Sequence, residues 1–230
     1  MTRQAIVTGG GTGIGLATAH QLAREGYEVT ALGLGAPEAL AEGIVYKEID
    51  VADDQAIKSL FAGYDRIDAL VNAAGIIDHA GEWDKPGFSR VIDINLTAVL
   101  SVSTAALPGL KIAKGAVVNF ASMWSFFGSP KTPAYAASKA AVGELTRCMA
   151  VAWAKEGVRA NAVAPGWIVT NLARRAFEDP ERSKTIMNRI PAGRWGDPQD
   201  VADVISFLVS DKARYVTGVT LPVDGGYSIA

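Results

Sequence analysis

Short apolar runs rich in β-branched residues alternate along the chain with longer stretches whose apolar positions recur at helical spacing. Ala5-Ile6-Val7 reads as a first strand, Ile14 to Glu25 as the helix after it, and Glu28 to Leu32 and Ile44 to Ile49 as the next two strands. Ala69-Leu70-Val71 gives a fourth strand, Phe88 to Leu107 a long helix, Ala116 to Phe120 a fifth strand and Tyr135 to Glu156 a second long helix. Arg159 to Val163, Asp200 to Val209 and Val219 to Val223 follow as strand, helix and strand. Strands that are apolar throughout need cover on both sides. The pattern therefore predicts an α/β fold: one doubly wound domain with a parallel seven-stranded sheet and helices on both faces. No repeat or linker divides residues 1–230, and the one long irregular stretch, about 166–196, is where a lid would sit.

Composition narrows this picture only slightly. A chain of 230 residues with 49% apolar and 20% charged positions can bury a full core as a single domain. Its formal net charge of −2 and lack of a basic tract give no reason to expect a nucleic-acid partner. Cys148 is the only cysteine, which suits a reducing compartment, and Met1-Thr2-Arg3-Gln4 runs straight into the first strand without a signal-peptide pattern. The expectation is a cytoplasmic protein. Val91 to Ala113 is the most apolar stretch, but Asp93, Asn95 and Pro108 interrupt it, so no membrane span is expected. With two histidines and no cluster at ligand spacing, no metal site is expected.

Two motifs carry candidate chemistry. Gly9-Gly10-Gly11-Thr12-Gly13-Ile14-Gly15 joins the first strand to the first helix, where glycines let a pyrophosphate approach the free N–H groups of a helix start. In the second half, Tyr135 and Lys139 lie four residues apart, one turn along a helix face, with Ser122 thirteen positions upstream. A phenol loses its proton near pH 10, and a neighbouring ammonium favours the phenolate, so the pair suits proton transfer to and from one oxygen. Ser122 would hold that oxygen, which points to carbonyl–alcohol chemistry.

The glycine spacing, Asn72-Ala73-Ala74-Gly75 after the fourth strand, Asn95, Ser122, Tyr135, Lys139 and Pro165-Gly166 together resemble the short-chain dehydrogenase/reductase family over about Ile6 to Tyr227. The resemblance implies a Rossmann-type fold, an NAD(P)-dependent oxidoreductase that interconverts a secondary alcohol and a ketone, and a homotetramer. It makes Tyr135 the general acid/base, Lys139 the group that lowers the Tyr135 pKa and binds the nicotinamide ribose, and Ser122 the holder of the substrate oxygen. Asn95 would interrupt its helix to seat a water behind Lys139. Cofactor contacts are implied for Gly9, Gly11, Thr12, Gly13, Ile14 and Gly15, for Gly33 and Leu34 ending the second strand, and for Asp50 and Val51. They are also implied for Asn72, Ala73, Ala74 and Gly75, for Tyr135 and Lys139, and for Pro165, Gly166, Ile168 and Thr170.

Several positions have plainer readings. Asp50 would equally serve as a helix N-cap and Asn72 as a turn residue. The second strand ends in Gly33-Leu34, which matches neither the acidic pattern for NAD nor the basic one for NADP; without a cation for the extra phosphate, NAD is favoured over NADP. The segment after Leu34 is short enough to shrink or lose the usual helix there. Ser122, Trp124, Phe127, Tyr135 and Trp167 form the expected substrate pocket, suited to a sugar acid, polyol or cyclic alcohol, although Phe126 and Phe127 would equally pack beneath the lid. His79 reads as a rim or loop residue, and Arg174, Arg175, Arg182 and Arg189 as cations for an anionic substrate or as a wet helix face. The alternatives are a 3-oxoacyl-[acyl-carrier-protein] reductase and a non-catalytic cofactor-binding regulator.

Overall fold

The computed structural model describes residues 2–35, 37 and 39–230. Seven parallel strands form one sheet in the order β3-β2-β1-β4-β5-β6-β7. The strands are β1 Arg3–Thr8, β2 Tyr27–Gly33, β3 Ile44–Glu48, β4 Ala69–Asn72, β5 Ala116–Phe120, β6 Arg159–Pro165 and β7 Thr220–Val223. Side chains alternate across each strand, so one sheet supplies two cores. Val7, Val29, Val71 and Val118 face one side, where they meet Ala19 and Leu22 of α1 (Gly13–Arg24). Ile6, Leu32, Leu70 and Val117 face the other. This is the doubly wound arrangement that the apolar strands require.

One helix is absent from the sequence reading. α2 (Asp54–Phe61) has only eight residues, and its apolar face is reduced to Ile57, Leu60 and Phe61. The Asp53 carboxylate caps it by accepting from the N–H groups of Gln55 and Ala56, so the cap lies three residues beyond Asp50. Between β2 and β3 no helix occurs among the described residues, as the short segment after Leu34 suggests.

The first long helix is α3 (Lys85–Ile92) and α4 (Ala98–Ala113), joined by a π-helical turn at Asp93–Thr97 that carries Asn95. The run Lys85–Ala113 is long and apolar enough to cross a membrane by length and composition alone, and 39% of its most apolar window is buried inside this fold. Val102, Ala106 and Leu110 pack in the second core. α5 (Pro133–Trp153) begins two residues before Tyr135, because Pro133 fits a first helical turn that has no use for its N–H.

The lid is not irregular, as its composition suggests; it holds two short helices, α6 (Arg174–Phe177) and α7 (Pro180–Met187). Trp195 fixes them, with its ring 5.5 Å from both Trp167 and Phe177. α8 (Pro198–Val209) returns to the first core through Val201, Ile205 and Leu208. The strand order reverses between β1 and β4, and a crevice opens there beyond the carboxyl ends of the strands.

Candidate active site

The glycine loop lines that crevice because nothing larger fits. A Cβ on Gly9 would lie 2.8 Å from the Ala74 nitrogen, and one on Gly15 only 2.1 Å from the Gly9 carbonyl oxygen. Gly9 and Gly13 also take φ of +64° and +54°, a region costly for other residues. Thr12 precedes α1 in extended conformation without capping it, and the first turn carries no acidic side chain. The start of α1 therefore keeps its donors and its positive end for an anion. Across the crevice, the Thr8 hydroxyl accepts the Ala74 N–H at 3.2 Å and holds the 73–75 turn against β1.

A cleft of about 610 Å³ runs from this loop to the second motif. Gly9, Thr12, Gly13, Ile14 and Gly15 line one end, and Ser122, Trp124, Tyr135 and Lys139 the other. Ala73, Ala74 and Gly75 form its floor, and Pro165, Gly166, Trp167, Ile168 and Thr170 its roof. This is the geometry a dinucleotide site requires: phosphate-binding backbone at one end and a proton-transfer group at the other.

Ser122 follows the buried end of β5, and its hydroxyl accepts the Trp124 N–H at 3.2 Å, which fixes its direction. Tyr135 and Lys139 project from one face of α5, with the Lys139 Nζ 5.6 Å from the tyrosine ring centre. Lys139 donates to the Phe120 carbonyl oxygen at 2.8 Å, so β5 orients both Ser122 and the lysine. Asn95 stands behind them. Its amide oxygen accepts the Ile76 N–H at 2.8 Å, while its nitrogen donates to the Ile76 carbonyl and to Ser138. A Cβ on Gly75 would lie 3.2 Å from the Asn95 oxygen and 3.5 Å from the Lys139 nitrogen, so only glycine leaves that corner open.

Burial dominates the electrostatics of the pair. Burial pushes the Tyr135 phenol up; the Ser122 hydroxyl acts in the opposite direction and the Glu82 charge adds to the rise. Burial also pushes the Lys139 ammonium down to about 8. Burial thus acts against charge on both groups, and positive charge added beside the phenol would favour the phenolate.

Other expected residues lie outside the cleft. Asn72 is buried in the sheet, where its amide donates to Ser103 and Asn119 and ties β4 to α4 and β5. Phe127 packs beneath the lid against Tyr227 and Arg189, which leaves Trp124 and Trp167 as the aromatic walls. Asp50 is exposed and accepts the Ala52 N–H, and Val51 is buried in the second core. Gly11 and Gly33 face Tyr46, while Leu34 points outward, 68% exposed.

One feature was not legible in the motifs. Glu82 is 1% exposed, and its two carboxylate oxygens accept the N–H groups of Asp78 and Tyr135, each at 2.8 Å. It thereby ties the cleft rim to the positive end of α5. The two residues are 53 positions apart, and no local signal connects them. Of the residues read as rim or lid cations, Arg175 and Arg182 line the cleft with His79, Lys131 and Lys139, and among the described residues no aspartate or glutamate does. Arg174 instead pairs with Glu178, and Arg189 stacks on Tyr227. Among the described residues no group of His, Cys, Asp and Glu forms a metal site.

Comparison with known proteins agrees with this geometry. A family profile described as enoyl-(acyl carrier protein) reductase matches residues 9–228. The 2-dehydro-3-deoxy-D-gluconate 5-dehydrogenase of Dickeya dadantii is 37% identical over 97% of this chain and 94% of its own length. A 3-oxoacyl-[acyl-carrier-protein] reductase of Staphylococcus aureus is 38% identical over 98% of each chain. Among solved structures, the aldohexose dehydrogenase of Thermoplasma acidophilum superposes with a TM-score of 0.91 at 35% identity, over 100% of this chain and 95% of its own. A Beutenbergia cavernae protein, provisionally described as an NAD(P)-dependent gluconate 5-dehydrogenase and holding NADP at low occupancy, gives a TM-score of 0.90 at 38% identity over 99% and 97%.

The Lys139 shift has a consequence for stability. Between pH 8 and about 10.4, the usual lysine value, the unfolded chain holds a proton on Lys139 that the folded chain has released. The residue's penalty on the fold is therefore fully present below pH 8 and fades as pH rises through this window. Urea denaturation of wild type and Lys139→Met is expected to show the variant's stability, relative to wild type, falling from pH 7 to pH 10.

Proposed function

We propose that this chain, which belongs to the short-chain dehydrogenase/reductase family, interconverts the secondary alcohol of a sugar acid and the corresponding ketone. The observation that carries the choice of substrate is the charge of the cleft. Beside the Ser122–Tyr135–Lys139 set it holds three cations, Lys131, Arg175 and Arg182, and among the described residues no carboxylate. A neutral alcohol has no use for Arg175, Arg182 and Lys131 on the lid and rim, whereas a carboxylate takes paired N–H donors from an arginine. The sugar-acid activity named for the Dickeya dadantii relative supports the same choice.

In the oxidative direction the Tyr135 oxygen takes the hydroxyl proton, and Ser122 donates to the same substrate oxygen and fixes its distance. Lys139, held by the Phe120 carbonyl, stabilises the phenolate. A bound oxidised dinucleotide would supply the hydride acceptor and a positive nicotinamide, whose charge would favour the phenolate against the effect of burial. Trp124 and Trp167 wall the reacting carbon, and the α6–α7 lid brings its arginines to the acid group.

We further propose a homotetramer. Leu100 and Ile112 on α4 and Val151 on α5 leave apolar groups exposed on one face, and Phe207 on α8 with Leu221 on the edge strand β7 does so on another. Two such faces suit two different two-fold contacts. Light scattering is expected to give four times the 24.1 kDa of one chain; a monomer would contradict this.

Turnover assays on sugar acids, uncharged aldohexoses and a 3-oxoacyl thioester test the substrate reading. Wild type is expected to favour the acids, and Arg182→Gln to raise KM about tenfold for them alone, the loss of one charge-assisted contact. Tyr135→Phe is expected to lower kcat about 10²- to 10⁴-fold while dinucleotide binding persists. Preference for the thioester would overturn the sugar-acid assignment, and undiminished turnover by Tyr135→Phe would overturn the mechanism.

A further inference from the structure

In open α/β sheets of this kind, the side chain that ends the second strand meets the adenosine ribose: an acid binds its 2′-hydroxyl, and a base accommodates a 2′-phosphate. Here that strand ends in Gly33, and the space a side chain would use is filled. A Cβ on Gly33 would lie 2.8 Å from the Tyr46 hydroxyl oxygen. The same phenol reaches the glycine loop, where a Cβ on Gly11 would lie 3.0 Å from the Tyr46 ring. Tyr46, from β3, thus spans the corner between the phosphate loop and the end of β2.

The surrounding groups give this corner its charge. Tyr46 donates its hydroxyl proton to the Gly35 carbonyl oxygen at 2.9 Å, so the oxygen is left free to accept. Glu48 accepts the Gly35 N–H at 3.1 Å and is paired in register with Gly33. Side chains alternate along β3, so Tyr46 and Glu48 share one face and Lys47 lies on the other, its nitrogen 5.9 Å over the Tyr64 ring. Tyr46 and Glu48 therefore brace the Leu34–Gly35 turn together, and the one lysine nearby in sequence is turned away. Burial first, and the Glu48 charge second, push the Tyr46 phenol up, so it stays a neutral hydroxyl at working pH.

We infer that Tyr46 and Glu48 take over the ribose recognition that the end of β2 does not supply, and that they make this enzyme select NAD(H) over NADP(H). The Tyr46 oxygen accepts from the adenosine 2′-hydroxyl, and Glu48 opposes a phosphate dianion in its place. The inference rests on the family's use of nicotinamide dinucleotides and goes beyond it by assigning the choice to two residues of a different strand.

Calorimetric titration with NAD⁺ and NADP⁺ tests it, with thermal melts confirming that each variant is folded. Both dinucleotides are needed because one solved relative holds NADP. Wild type is expected to bind NAD⁺ at least about tenfold more tightly than NADP⁺, the scale of one charge-assisted contact. Tyr46→Phe should weaken NAD⁺ severalfold and leave NADP⁺ nearly unchanged, whereas Glu48→Lys should narrow or reverse the preference. Gly33→Asp should bind NAD⁺ poorly because its side chain meets Tyr46, and Gly33→Asp with Tyr46→Ala should recover binding. Equal or tighter NADP⁺ binding by wild type would overturn the inference, as would variants that change both dinucleotides alike. Binding of neither dinucleotide would overturn it too, and would also remove the cofactor reading on which it rests.

Discussion

A lysine ammonium buried at the end of a parallel sheet is the constraint around which this molecule is arranged. Lys139 has one hydrogen-bond partner, the Phe120 carbonyl at the end of β5, and burial holds its pKa at about 8. Keeping a cation there opposes folding, so the surroundings must fix it. β5 supplies the carbonyl, α5 supplies the lysine and the tyrosine, and Glu82 anchors the first turn of α5 from the opposite rim. Asn95, on a π-helical turn, closes the back of the same corner and holds the 75–77 segment through both of its amide atoms.

From this arrangement the division of labour follows. In the protein alone, burial dominates and Tyr135 holds its proton firmly. Lys139 stands beside the phenol, and the positive charge of an oxidised nicotinamide would add to its effect and favour the phenolate when the hydride acceptor is in place. The cations of the cleft extend the same logic to the substrate, since an acid group on the sugar would pair with Lys131, Arg175 and Arg182, which are otherwise exposed to water.

The sheet was legible in the sequence because burial on both faces leaves strands such as Ala69–Val71 without polar positions, and the glycine loop because its crowding admits no Cβ. α2 was not legible, since its apolar face is three residues and its cap, Asp53, sits in a run of acids. Asn72 was legible as a motif position but not in its packing: its amide nitrogen ties β4 to Asn119 and Ser103, while its buried oxygen has no partner among the described residues. Glu82 and Tyr46 escaped for a different reason. Their meaning lies in contacts with Tyr135, 53 positions away, and with Gly33 on the neighbouring strand, and residue type alone carries no trace of such pairing.

The most direct check on this account is the titration of Tyr135 itself, followed by NMR on protein carrying labelled tyrosine, with and without the oxidised dinucleotide. The free protein should show a phenol that titrates above the ordinary value near 10, and the complex one that titrates well below it. A phenol that already ionises near neutral pH in the free protein, or one whose titration does not change on binding, would contradict the central claim.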